Sequence, residues 1–96
     1  MHKAYTLTKD IECKARLLAL AGDTTRARIF CFMFENKEAC VSQIADSLGM
    51  SVASISHHLQ MMKDHDLFQT ERNGNTICDK LIDSQFTHQL KSMLCD

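Results

Sequence analysis

Apolar side chains along this chain recur mostly at helical spacing. Between Thr8 and Ala21, Ile11, Ala15 and Leu18, with Leu17 beside them, share one face of a predicted helix. Thr8 is placed to cap it, Asp10 and Glu12 sit in its first turn, and Gly22 marks its end. Asp23 or Thr24 starts a second helix, Thr24–Glu35, whose stretch RARIFCFMF is apolar over most of its circumference. A helix apolar all round is normally buried, so this is the predicted core helix. Asn36–Ala39 reads as a polar turn and Cys40–Val41 as a short strand.

Two shorter amphipathic stretches follow, from Ser42 to His65, with Gly49 between them. Ala45 lies four residues before that glycine and Ile55 six after it. A helix-turn-helix needs a small residue where its helices cross, a residue tolerating positive φ in the turn, and an aliphatic anchor on the second helix. Ala45, Gly49 and Ile55 supply these in order, with Ser42 and Ser51 as candidate N-caps. The same spacing also serves an ordinary αα-hairpin. What comes next separates the two.

Leu67–Glu71 and Thr76–Lys80 are short and β-capable, and Asn73-Gly74 between them favours a tight hairpin turn. A hairpin directly after the second motif helix is the wing of a winged helix-turn-helix. Asp83 or Ser84 then caps a last helix reaching Cys95, with Phe86, Leu90 and Leu94 on one stripe. The expected fold is mainly α, in the order α-α-α-α-β-β-α, a single domain over residues 1–96.

Composition narrows the class. The chain has 96 residues, 45% of them apolar, which suits one small domain and makes dimerisation attractive as a way to cover amphipathic faces. No apolar run is long enough to span a membrane, and MHKAYTLTKDIECK lacks a leader's apolar region, so a cytoplasmic location is expected. No nucleophile–base pair stands at a readable spacing and no glycine-rich phosphate loop is present, so an enzyme is not expected. Net charge is −1. Residues 51–80 set Lys63, Arg72 and Lys80 against Asp64, Asp66, Glu71 and Asp79, which argues for modest DNA affinity and a large share for His57 and His58.

Cys40-Val41, the tract IADSLGMSVASISHHLQMMKDHDLF and the wing ERNGNT together resemble the ArsR/SmtB family of winged-helix repressors. Ser51 to Leu59, with its Ser-His-His-Leu ending, is the most specific part, and the resemblance covers nearly the whole chain. It implies a homodimer, joined through the first and last helices, that binds double-stranded DNA at a palindromic operator. It further implies repression relieved by a metal ion or a thiol-reactive signal.

On a helical wheel Ile55, Leu59 and Met62 face inward, while Ala53, His57 and Gln60 point nearly opposite with Ser56 on the flank. The resemblance sets Val52, Ala53, Ser56 and His57 at base-reading positions. Val52 and Ala53 suit thymine methyls, whereas Ser56 and His57 can hydrogen-bond base edges or phosphate. Arg72, Asn73 and Asn75 in the wing are candidates for the minor groove or flanking phosphates.

Five cysteines, an odd number without a C-x-x-C, fit neither a disulfide framework nor a zinc ribbon. By resemblance, Cys31 and Cys95 match the two cysteines of HlyU/BigR-like members, whose thiols respond to oxidants or reactive sulfur. Arg28 and Lys91, one turn before each, are candidates for the electropositive setting that a reactive thiolate needs. In the alternative, Cys40 resembles a ligand of the family's soft-metal sensors, with Cys13 supplying a second thiolate for a divalent ion across the dimer. Ser42 replaces the next expected cysteine of that site. On the last helix Asp83 matches a zinc-site carboxylate, Gln85 replaces a histidine, and His88 with Cys95 offers only an improvised pair. Cys31 as plain buried core is the third reading, and Cys78 is expected to be incidental. A winged-helix protein-docking module is the rival from another class.

Overall fold

The computed structural model describes residues 6–95, so the first residues of the stretch read for a leader lie outside it. Its elements are α1 (Lys9–Ala21), α2 (Thr24–Asn36), β1 (Glu38–Ala39), α3 (Val41–Leu48), α4 (Val52–Lys63), β2 (Phe68–Asn73), β3 (Thr76–Leu81) and α5 (Gln85–Leu94). This is the winged helix-turn-helix order expected, with the short strand before α3 included. None of these helices is long and apolar enough to cross a membrane.

Local chemistry starts each helix. Thr8 accepts the Ile11 N–H at 3.1 Å, Asp23 the Arg26 N–H at 3.0 Å and Ser51 the Ser54 N–H at 3.1 Å. The bond from Arg26 holds the Asp23 carboxyl below the usual carboxylate range. Ser84 rather than Asp83 caps α5. Ser42 does not cap α3; Cys40 does, its N–H bonded to the Gln43 side chain at 2.8 Å. The edge strand accordingly lies two residues earlier than expected, at Glu38–Ala39, and Val41 is already helical.

Gly49 ends α3 with φ 67°, and the Met50 N–H returns to the Ala45 carbonyl at 3.0 Å. That left-handed cap turns the chain from α3 into α4. A Cβ on Gly49 would meet nothing within 4 Å, so only the backbone conformation resists substitution. Gly49→Ala is therefore expected to lower stability by about 1–2 kcal/mol, and Gly49→Asn by less, read from denaturant midpoints.

The sheet is antiparallel in the order β1-β3-β2. Asn73 pairs with Thr76, leaving Gly74 and Asn75 as the two loop residues, with Gly74 at φ 64°. The Asn-Gly signal located the hairpin, but glycine takes the first loop position instead of the second.

The core joins the fully buried Ile29, Phe30 and Met33 of α2 to Ile44 of α3 and Ile55, Leu59 and Met62 of α4, and Phe68 and Leu90 close it. Phe30 stacks against Phe34 and Phe68, with centroids 6.1 and 5.7 Å apart. Thus α2 is the core helix its composition predicted. The apolar stripe read on α1 faces outward at Ile11, Ala15 and Leu18, with Leu17 half-buried and only Leu20 and Ala21 of this helix buried.

Candidate nucleic-acid interface and thiol pair

Burying Ile55, Leu59 and Met62 fixes the rotation of α4, and the opposite face is thereby presented outward. Val52, Ala53, Ser56, His57 and Gln60 are all exposed, Val52 at 50%. Such a face, 12 residues long, is of a size to enter a major groove. Arg72, Asn73 and Asn75 are exposed at the tip of the wing.

Two side-chain anchors, neither read from the sequence, hold this surface in place. Arg26 of α2 donates to the Leu20 carbonyl at 2.7 Å and to His58 Nδ1 at 3.3 Å. Arginine is only a donor, so His58 accepts there and keeps its proton on Nε2. His58 thus faces α2, while His57 faces outward, their rings edge to face at 6.0 Å. At the far end of α4, Lys63 lies 3.3 Å from buried Asp79 and donates to Thr70 at 3.1 Å, while Thr70 donates to Asp79 at 3.0 Å. This triad ties the end of α4 to both wing strands. The only advance signal was a charge on each element, with nothing in the spacing to pair them.

The pairs also thin the positive charge available to phosphate. Lys63 is neutralised by Asp79, and Lys80 lies 3.8 Å from Glu71. Of the three cations in residues 51–80, only Arg72 forms no ion pair among the described residues.

The cysteines sort differently from the motif residues. Cys31, near the middle of α2, and Cys95, the residue closing α5, are joined as a disulfide with Cα atoms 6.0 Å apart. That separation lies within the range a disulfide requires. Arg28 is not poised over this pair, since its guanidinium donates to the Leu48 carbonyl at 3.0 Å.

The metal alternative calls for donors from two copies of the chain. Cys13 is exposed on α1, and no cluster of three or more His, Cys, Asp or Glu side chains suited to a metal forms among the described residues. His88 contacts Asp83 and Cys95 is engaged by Cys31, so the improvised His88–Cys95 pair is not assembled. Cys78, expected to be incidental, is a free thiol buried on β3, and Cys40 is a free thiol half-buried at the start of α3.

Residues 23–69 match the family model described as bacterial regulatory protein, arsR family. An HTH-type transcriptional regulator of Methanocaldococcus jannaschii is 29% identical over 80 residues, spanning 83% of this chain and 90% of its own. A homolog of the cadmium resistance transcriptional regulatory protein CadC, from Staphylococcus aureus, is 25% identical over 83 residues, spanning 78% and 69%. Among solved structures, HlyU from Vibrio cholerae superposes with a TM-score of 0.80 at 22% identity, covering 94% of this chain and all of that one. The transcriptional repressor BigR from Xylella fastidiosa gives 0.79 at 21% identity, covering 91% and 88%. At such identities the structural matches establish the fold. With the helix-turn-helix, its outward face and the wing in place, residues 23–69 form a helix-turn-helix domain of the arsR family of bacterial regulatory proteins, and the similarities point to a transcriptional regulator rather than an enzyme.

Proposed function

We propose that the protein is a homodimeric repressor that reads a palindromic operator through α4 and the wing and releases it when a thiol-reactive signal links Cys31 to Cys95. The observation that carries the thiol reading is the pairing itself. Folding brings two cysteines 64 positions apart to a Cα separation of 6.0 Å, one on the core helix and one at the end of α5. Forming the bond removes two electrons and two protons from the pair, which the oxidant or polysulfide takes up.

Dimerisation is supported by what the terminal helices leave uncovered. Leu18 on α1 is 52% exposed and Met93 on α5 is 68% exposed, with Ile11 and Leu94 also outward. Apolar faces of this kind at both ends of one chain suit a second copy. A covalent tie between α5 and α2 then acts on the interface and the core together. Recognition helices in such a dimer must stand about 34 Å apart to reach successive major grooves, so a small change in interface geometry is enough to break the match.

Fluorescence anisotropy on operator DNA tests this. The reduced protein is expected to bind, and tetrasulfide treatment to weaken binding by at least about tenfold, or about 1.4 kcal/mol. Cys31→Ser and Cys95→Ser should each keep binding after treatment. Unchanged affinity once the disulfide is complete by mass would leave the regulator standing and remove the thiol switch.

A further inference from the structure

The second pair of cysteines has a geometry of its own. β1 pairs with β3 through Glu38 with Lys80 and Ala39 with Asp79, so the next step of the register sets Cys40 opposite Cys78. Cys40 is still extended there, at φ −78° and ψ 153°. The Leu81 N–H reaches the Lys37 carbonyl at 3.4 Å, which makes Lys37 and Leu81 a hydrogen-bonded pair. Antiparallel pairs alternate, so Cys40 and Cys78 occupy a non-hydrogen-bonded position, where Cα atoms approach to about 4.5 Å and side chains come closest. Disulfides form at Cα separations of about 4.4–6.8 Å.

The two thiols are unequal. Cys40 is half-buried at the N-terminus of α3, its N–H donating to the Gln43 side chain at 2.8 Å and its carbonyl accepting from the Gln43 N–H at 3.0 Å. That is the positive end of a helix, the place where a developing sulfur anion is favoured. Cys78 lies behind it, 9% exposed on β3.

We propose that Cys40 and Cys78 are a second dithiol, separate from Cys31 and Cys95, in which Cys40 attacks small disulfides and Cys78 resolves the product. The Cys40 thiolate attacks one sulfur of a low-molecular-weight disulfide, forming a mixed disulfide and expelling one small thiolate. Cys78 then attacks the Cys40 sulfur, expelling the second small thiolate, which takes up the Cys78 proton. Two protein thiols are oxidised to one disulfide, and one small disulfide is reduced to two thiols.

The hydrogen bond with Cys40, burial, and the negative charge of Cys40, Glu38 and Asp79 push the Cys78 thiol up to about 11. It therefore stays protonated while the outer sulfur reacts, which makes Cys40 the first of the two to react, and Cys78 gives up its proton only in the second step. The resulting link would fasten the start of α3 to β3 beside Asp79, the residue that anchors the wing to Lys63 of α4. This inference does not depend on the Cys31–Cys95 switch.

The test uses the full chain carrying Cys13→Ser, Cys31→Ser and Cys95→Ser, so that only Cys40 and Cys78 remain. After oxidised glutathione, intact mass should fall by two hydrogens with no link between chains. Adding Cys78→Ser should trap a stable glutathione adduct on Cys40, and adding Cys40→Ser should leave Cys78 unmodified. Should the Cys78 variant not fold, acid-quenched peptide mapping of the parent gives the same order, with the mixed disulfide on Cys40 appearing first. A first adduct on Cys78, an intermolecular link, or two unreacted thiols under conditions that modify Cys13 in the Cys31→Ser/Cys95→Ser protein would each overturn the proposal.

Discussion

Phe30→Ala is expected to lower the stability of this domain by about 3–5 kcal/mol. Phe30 is fully buried on α2 and stacks on Phe34 of its own helix and Phe68 of the wing. Truncation removes the ring's burial and both stacking contacts, and neither helix nor sheet can collapse far enough to fill the space. A domain of this size is held by about 5–15 kcal/mol in total. The variant should therefore melt tens of degrees below the parent, since each kcal/mol shifts a domain of this length by about 4–8 °C. Thermal melts followed by circular dichroism read this directly. A loss below about 1 kcal/mol would mean that Phe30 does not join α2 to the wing as described.

Ser56→Glu and His57→Glu should act in the opposite way, sparing stability and removing DNA binding. Both residues are exposed on the outer face of α4. Neither change touches the buried stripe of Ile55, Leu59 and Met62. A carboxylate set among phosphates faces like charge at close range, which costs several kcal/mol, so affinity should fall about a hundredfold or more. Melting temperature should stay near the parent's. Wild-type affinity in both variants would place the DNA on another surface.

The motif was legible because each of its parts carries a local physical cause. Gly49 announces a left-handed turn, and the aliphatic spacing of α4 sets which face turns inward whatever surrounds it. The wing announced itself through Asn73-Gly74, but one local signal cannot fix which loop position the glycine takes. That depends on cross-strand pairing, which here makes Asn73 the partner of Thr76. The misplaced edge strand has the same origin: β1 is two residues long and exists only because β3 lies beside it. On α1 the helix and both its caps were legible, but not what its apolar stripe meets. Its stripe of Ile11, Ala15 and Leu18 is a genuine periodicity, and among the described residues of one chain nothing covers it.

The chemistry divides along the same line. Cys31 and Cys95 could be named as a pair only through resemblance, since their meeting depends on how α5 packs against α2. Cys40 and Cys78 were invisible as a pair, because a single step of strand register decides their contact. Lys63 and Asp79 were counted as opposing charges, and only the fold makes them one anchor that also neutralises a cation at the end of α4.

That thinning of positive charge leaves the docking module as the serious competitor to DNA recognition, and one measurement separates them. Reduced protein is titrated by fluorescence anisotropy onto duplex from upstream of its own gene and onto a scrambled duplex of equal composition, across a series of salt concentrations. A preference for the natural sequence is expected, with affinity falling as salt rises. The slope should be modest, because two of the three cations near α4 and the wing are already paired. Equal affinity for both duplexes with no dependence on salt would contradict DNA recognition and leave this winged helix as a surface for docking protein.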